Sequence, residues 1–257
     1  MRCRLLILML SVSVVQAEAL ADENPATRAQ SAANRLDIAY SFTDDTPNDS
    51  AVLQAQYTQI FARQHQVVLQ VPFADANTSE SPGLRLSDTR LGYSYTPGQE
   101  LTANPWVPSE IGTGVGLSIP TGDFDEGTST GSWVMSPRLG FVAVRSTELF
   151  IAPSVQYVFS FGEKDEAARI SSLVVKAPVT YVGVRSAWFQ WTPEYLRSLR
   201  ADDGAFVNSF RLGKLFTPNL AISLEYSRSA YFVEDAGEFD EKNVDVWSVF
   251  FAFPFGY

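Results

Sequence analysis

The chain has 257 residues, 46% of them hydrophobic and 13% aromatic, with 16 Gly and 14 Pro, a composition that excludes disordered, collagenous and coiled-coil proteins. Its 19 Lys and Arg stand against 29 Asp and Glu, a net charge of −10, which excludes a nucleic-acid partner held by phosphate neutralisation. Beyond Val15 no stretch approaches the ~18 uninterrupted apolar residues of a spanning helix, so a helical membrane protein is excluded as well.

Arg2 and Arg4 precede an apolar run from Leu5 to Val15, and Val15-Gln16-Ala17 has the small-residue spacing of a secretory cleavage site. Residues 1–17 are therefore expected to be a signal peptide, with Ala19 and Ala21 as later cleavage points, since the run is too short to span a bilayer. The one cysteine, Cys3, falls inside this segment, so the exported chain carries no thiol, disulfide or cysteine–metal chemistry. Losing two arginines leaves 17 bases against 29 acids, a balance of −12. Residues 18–33, rich in Ala, Glu and Asn, read as a flexible leader, and 34–257 as one β-barrel domain.

From Asn34 onward apolar residues recur at every second position between clusters of Gly, Pro, Asp and Asn, the period of strands. Strands are predicted at 34–43, 51–61, 66–74, 87–96, 110–120, 132–144, 149–161, 170–181, 187–196, 205–215, 220–232 and 244–257. The first puts Arg35 and Asp37 on the face opposite Tyr40, and the second puts Gln54 and Gln56 opposite Tyr57. In the third, Val67, Leu69, Val71 and Phe73 alternate with Gln66, Val68, Gln70 and Pro72; the fourth sets Asp88 and Arg90 against Tyr93 and Tyr95. The fifth alternates Ile111, Thr113, Val115, Leu117 and Ile119 with Gly112, Gly114, Gly116 and Ser118. Further on, the polar parity collects Arg138, Gln156, Lys176, Gln190, Glu194, Arg211 and Glu225, together with the aromatic rings of Phe150, Trp188, Tyr231 and Phe250. The opposite parity carries Trp133, Phe141, Tyr157, Tyr181, Trp191 and Tyr226.

A face of Gly, Ser, Gln and charges cannot fill a dry core, and strands of about 9–14 residues suit a tilted crossing of hydrocarbon better than the ~5–6 of soluble sheets. Twelve is an even number, as in single-chain outer-membrane barrels. The connections mostly alternate between short turns and longer polar loops, and the six loops at one end hold 18 of the 29 acids. On the outward parity no charge falls in mid-strand; Arg228 and Asp245 lie toward the loop end, as a lipid face requires. The expectation is an all-β, transmembrane, antiparallel up-and-down barrel of about 12 strands in the bacterial outer membrane, in contact with lipid and lipopolysaccharide. The soluble alternative is a secreted sandwich, which would bury the apolar parity instead.

The chain ends Phe251-Ala252-Phe253-Pro254-Phe255-Gly256-Tyr257. This resembles the C-terminal signature by which bacterial outer-membrane barrels are recognised for insertion, and implies the barrel-assembly machinery as a partner through the strand ending at Tyr257. Gly114-Val115-Gly116-Leu117-Ser118-Ile119-Pro120-Thr121-Gly122-Asp123, the Gly127 to Gly131 segment and Pro137-Arg138-Leu139-Gly140 resemble the central pattern of the transporter family associated with the meta-pathway of phenol degradation. The resemblance is strongest over 110–145 and implies uptake of small, often aromatic or hydrophobic compounds.

His65, the sole histidine, falls in a predicted short turn, the wrong end for an outer-membrane hydrolase base, and reads as a solvated turn residue. With no second histidine, transition-metal sites are not supported. Asp123-Phe124-Asp125-Glu126-Gly127 opens like a calcium loop, but Val134 stands where the closing Glu should be. The reading is a passive channel for small solutes with no cofactor and no covalent chemistry. Its expected lumen-lining residues are Arg35, Asp37, Asp88, Arg90, Arg138, Lys176, Glu194, Arg211 and Glu225, which either pair across the interior or line a hydrated path. The rival is a non-transporting surface barrel, structural or adhesive, or an outer-membrane enzyme.

Overall fold

The computed structural model describes residues 34–255 apart from 45–49, 62–63, 76–82, 97–108, 126, 147, 163–168, 184–185, 202, 218 and 236–237. The signal peptide 1–17, the leader 18–33 and the terminal Gly256-Tyr257 lie outside the described residues, as does most of the long connection before the fifth strand.

Twelve strands form the wall. They are β1 (Asn34–Asp44), β2 (Ser50–Phe61), β3 (His65–Asp75), β4 (Leu84–Leu86 with Thr89–Tyr95), β5 (Ser109–Ile119) and β6 (Trp133–Val142 with Val144–Arg145). They continue as β7 (Leu149–Ile151 with Ser154–Phe161), β8 (Ser171–Lys176 with Val179–Val182), β9 (Ala187–Ser198), β10 (Asp203–Thr217), β11 (Leu220–Asp235) and β12 (Glu238–Phe255). Each pairs antiparallel with the strand before and after it. The ring closes where β1 meets β12 in unbroken register from Asn34↔Phe255 to Asp44↔Asp245. Closure matters energetically, because a ring without edges satisfies the strand amides internally, the condition for crossing hydrocarbon.

Four strands are interrupted without opening the wall. Proline lacks the N–H that a ladder uses, and Pro153 and Pro178 sit at the breaks in β7 and β8. There Phe141 N donates to Pro153 O (3.1 Å), Ala152 N to Pro178 O (3.2 Å) and Ala177 N to Pro193 O (3.1 Å). The break in β4 is bridged by Ser87 N donating to Pro72 O at 2.8 Å.

One expectation is corrected. Residues 233–243 read as a loop, but β11 and β12 stay paired from Arg228↔Asp245 to Asp235↔Glu238, leaving only 236–237 as the connection. Backbone pairing needs no apolar face; beyond the lipid both sides meet water, so the greasy alternation that reveals a membrane strand fades while the ladder goes on.

The two parities separate cleanly. Leu36, Ile38, Leu91, Ile111, Leu139, Leu212, Leu224 and Trp247 are all exposed. The buried set is dominated by polar residues such as Gln54, Gln56, Thr58, Gln70, Ser94, Ser136, Ser209, Ser223 and Ser248. That is a globular core turned inside out, and it removes the sandwich, in which the leucines would be enclosed. Rings cluster toward both ends of the outer face. Tyr57 and Phe255 (6.1 Å) lie toward the short-turn end, Trp133 and Phe161 (6.3 Å) and Tyr195 and Phe206 (5.5 Å) toward the long-loop end. These positions suit interfacial girdles.

Candidate functional site in the barrel interior

Strand alternation carries every residue expected at the site to the inner wall, and ladder register decides which of them meet. On β1, Arg35 Nε donates to Asp37 Oδ2 at 2.7 Å, two residues along the same face. Gln56, the register partner of Asp37, reaches the same oxygen at 3.5 Å. Lys176 and Glu194 are also register partners, and Lys176 Nζ lies 3.0 Å from Glu194 Oε2 with both side chains almost wholly enclosed.

Arg211 and Glu225 face each other across β10 and β11. Arg211 Nε donates to Ser223 Oγ (2.8 Å), and Ser227 Oγ donates to Glu225 Oε1 (3.2 Å). The Arg211 guanidinium also lies over the Phe250 ring at 3.9 Å and near Trp188 at 5.3 Å, within the range of cation–π attraction. Gly213 makes that possible: the Trp188 ring occupies the space a Cβ at Gly213 would take.

The remaining candidates lie on β4 and β6. Asp88 accepts from both the backbone N and the Oγ1 of Thr130, each at 2.8 Å. Arg138 faces Gly114 on one neighbouring strand and Gln156 on the other. Arg90 faces Gln70 across the β3–β4 ladder.

Sequence reasoning missed the part played by the β5–β6 connection. Its acids mark it as one of the polar loops, and Asp123 and Asp125 are exposed. Its second half turns inward: Thr128, Ser129, Thr130 and Ser132 are buried. Ser87 Oγ donates to Thr128 O at 2.6 Å, and Thr121 Oγ1 to Ser87 O at 2.8 Å, tying the loop to the break in β4. Gly131, at φ 68°, supplies the left-handed residue of this fold-back, with the Phe124 ring packed where a side chain would stand. The available signal was the change within the loop from acids to the hydroxyl run Thr128-Ser129-Thr130.

His65 is also displaced from its expected place. It opens β3 rather than lying in a turn, its Nδ1 is 2.7 Å from Tyr93 Oη, and its ring packs on Tyr95 at 4.9 Å. It is thus part of the aromatic band on the outer face at the short-turn end. Among the described residues no group of three His, Cys, Asp or Glu side chains could hold a metal ion.

The interior has two unlike sides. Against β8–β12, Val174, Leu196, Ala205, Val207, Tyr231 and Val244 form an apolar cluster. Against β1–β6 lies a cavity of about 40 Å³, room for a few waters or a compact polar group. It is bounded by Arg35, Arg90, Arg138, Gln56, Gln66 and Gln70, with Gly92, Gly114 and Gly116.

No protein-family model matches the chain, and no curated protein does. Solved structures do. The NanC porin superposes with a TM-score of 0.63 at 12% identity, covering 86% of this chain and 100% of that one. The KdgM porin does so with a TM-score of 0.58 at 13% identity, covering 86% and 99%. An outer membrane channel from Pseudomonas putida F1 gives a TM-score of 0.64 at 11% identity, covering 87% and 96%. The fold is that of an outer-membrane porin-like barrel. At these identities the likeness concerns the fold alone.

Proposed function

We propose that the protein is a bacterial outer-membrane channel through which small solutes pass by passive diffusion. The observation that carries this reading is the inverted parity of a closed ring: apolar side chains face out, while arginine, lysine, carboxylate, glutamine and serine side chains face in. A merely structural barrel needs the first feature and gains nothing from burying eight charged residues, each costly to desolvate. The acid-rich loops then face the cell exterior, lipid and lipopolysaccharide surround the wall, and the final strand is the segment that the assembly machinery would handle.

For the solute, two features favour an aromatic or otherwise apolar body. One is the resemblance of 110–145 to the phenol-pathway transporter family. The other is the aromatic surface of Trp188 and Phe250 flanking Arg211 inside the barrel, which suits a flat ring. In this reading Arg35, Asp37, Asp88, Arg90, Arg138, Lys176, Glu194, Arg211 and Glu225 set the electrostatics of the path, and no covalent chemistry is needed.

Planar-bilayer recordings on the purified chain test the proposal, together with liposome swelling in phenol, benzoate and a sugar of similar size. Conductance with uptake of at least one of these solutes is expected. Intact barrels that show neither would hand the chain to the non-transporting reading, for which the inward-turned β5–β6 loop and the apolar cluster would serve as a permanent closure.

A further inference from the structure

The cavity against β1–β6 holds an unbalanced set of groups. Among the described residues, no Asp or Glu lines it, although the chain as a whole carries ten more acids than bases. Of the two acids that approach it along the strands, Asp37 accepts from Arg35 and Gln56, while Asp88 accepts twice from Thr130 through Oδ2 and leaves Oδ1, two residues along the chain from Arg90, without a hydrogen-bond partner.

Among the described residues, two hydrogen-bond donors on its wall have no partner. They are Nε of Arg90 and Nε2 of Gln70, whose residues are 7% and 2% exposed. Buried donors are nearly always satisfied, and each exception calls for a ligand or a water. These two stand on facing positions of one ladder, where Cβ atoms lie ~4.5–5.5 Å apart, so one planar acceptor with two oxygens can meet both. The missing partner is therefore an acceptor, and the three guanidinium groups on the cavity wall favour an anionic one.

We propose that Arg90 and Gln70 form a carboxylate-binding subsite in the wall of the barrel, and that the solutes admitted are small organic acids. A carboxylate matches a guanidinium edge and a neighbouring amide in plane. A phosphate dianion would call for more donors than this corner offers. The third orphan there, the acceptor Gln56 Oε1, suits a bridging water that shares the cavity. The assignment of the bound acid as a transported solute rests on the channel reading, whereas the binding itself does not.

The test is isothermal titration of the full detergent-solubilised chain with acetate, benzoate, phenol and inorganic phosphate. Barrel integrity is checked for each variant by heat-modifiable gel mobility. Acetate and benzoate should bind, with phenol and phosphate weaker than benzoate. Arg90→Gln should weaken both carboxylates by about tenfold or more, as loss of a charged hydrogen bond implies, and Gln70→Leu by a smaller factor. Arg200→Gln, at an exposed position between β9 and β10, should leave binding unchanged. If Arg90→Gln fails to form a barrel, Arg90→Lys keeps the charge without the Nε donor and should show the same loss.

Absence of carboxylate binding, equal affinity for phenol and benzoate, phosphate binding tighter than benzoate, or wild-type affinity in folded Arg90 variants would each overturn the subsite. Bilayer conductance separates the two claims. Arg90-dependent benzoate binding in a barrel that never conducts would sink the channel and leave the subsite standing, whereas conduction without benzoate binding would do the reverse.

Discussion

The two sides of the lumen obey one architecture and reach opposite states. Against β8–β11 the inward charges are matched, Lys176 with Glu194 at 3.0 Å and Arg211 facing Glu225, and bulky Val174, Leu196, Val207 and Tyr231 fill the space beyond them. Against β3–β6 the inward positions combine the small Gly92, Gly114 and Gly116 with the long side chains of Gln70, Arg90 and Arg138, a cavity remains, and among the described residues Arg90 Nε and Gln70 Nε2 go unmet. What the wall encloses is thus set by side-chain volume and charge pairing at alternate positions. The strand scaffold itself is indifferent to it.

The largest expected effect comes from breaking the matched side. Lys176→Ala leaves Glu194 charged and enclosed, and urea unfolding in lipid vesicles should show a loss of about 3–5 kcal/mol. Joint replacement by Lys176→Met and Glu194→Leu should restore most of it. Arg90→Met on the cavity side should cost under about 1 kcal/mol in the same assay, since no hydrogen bond is lost at Nε. Equal losses for the two single variants would erase the distinction between the sides.

The outer face should not share the asymmetry. Leu91→Arg on β4 and Leu212→Arg on β10 both put a charge toward lipid, and each should cost about 2–4 kcal/mol according to its depth. A charge tolerated at either position would mean that this part of the face does not meet hydrocarbon.

Packing gives a third comparison. Gly213→Ala drives a methyl into the Trp188 ring and should destabilise by about 1–3 kcal/mol. Gly92→Ala, on the cavity side, meets Val68 Cβ at 3.6 Å and Val68 O at 4.0 Å, ordinary contacts, and should change stability by no more than about 0.5 kcal/mol. The most informative change electrically is Arg138→Ala. Removing a charge from the cavity wall should move the reversal potential in a salt gradient toward cation preference. A fixed reversal potential would remove Arg138 from the solute path.

Much of this was legible in the residues. The run Ile111 to Ile119 with its intervening glycines shows a strand that is greasy on one side and empty on the other, and such strands recur often enough to count twelve. Arg35, Asp88, Arg90, Lys176 and Glu225 could be assigned to one face because parity is a local property. Less legible were events that depend on a partner strand or loop. Asp88 gives no sign that Thr130, forty-two residues on, will occupy its carboxylate. The charged stretch from Val233 to Asn243 reads as loop because it lacks the apolar alternation by which the membrane strands are recognised. His65 looked like a turn residue until Tyr93 and Tyr95 came alongside it.

By itself, the sequence determined the ring of strands and the direction of each side chain, because a period of two is written residue by residue and a lipid face tolerates no exceptions in mid-strand. Only the tertiary structure decided which inward charges meet, which way the β5–β6 loop turns, and where a cavity survives. Those outcomes depend on register between strands distant in sequence, and a shift of one residue would reverse them all.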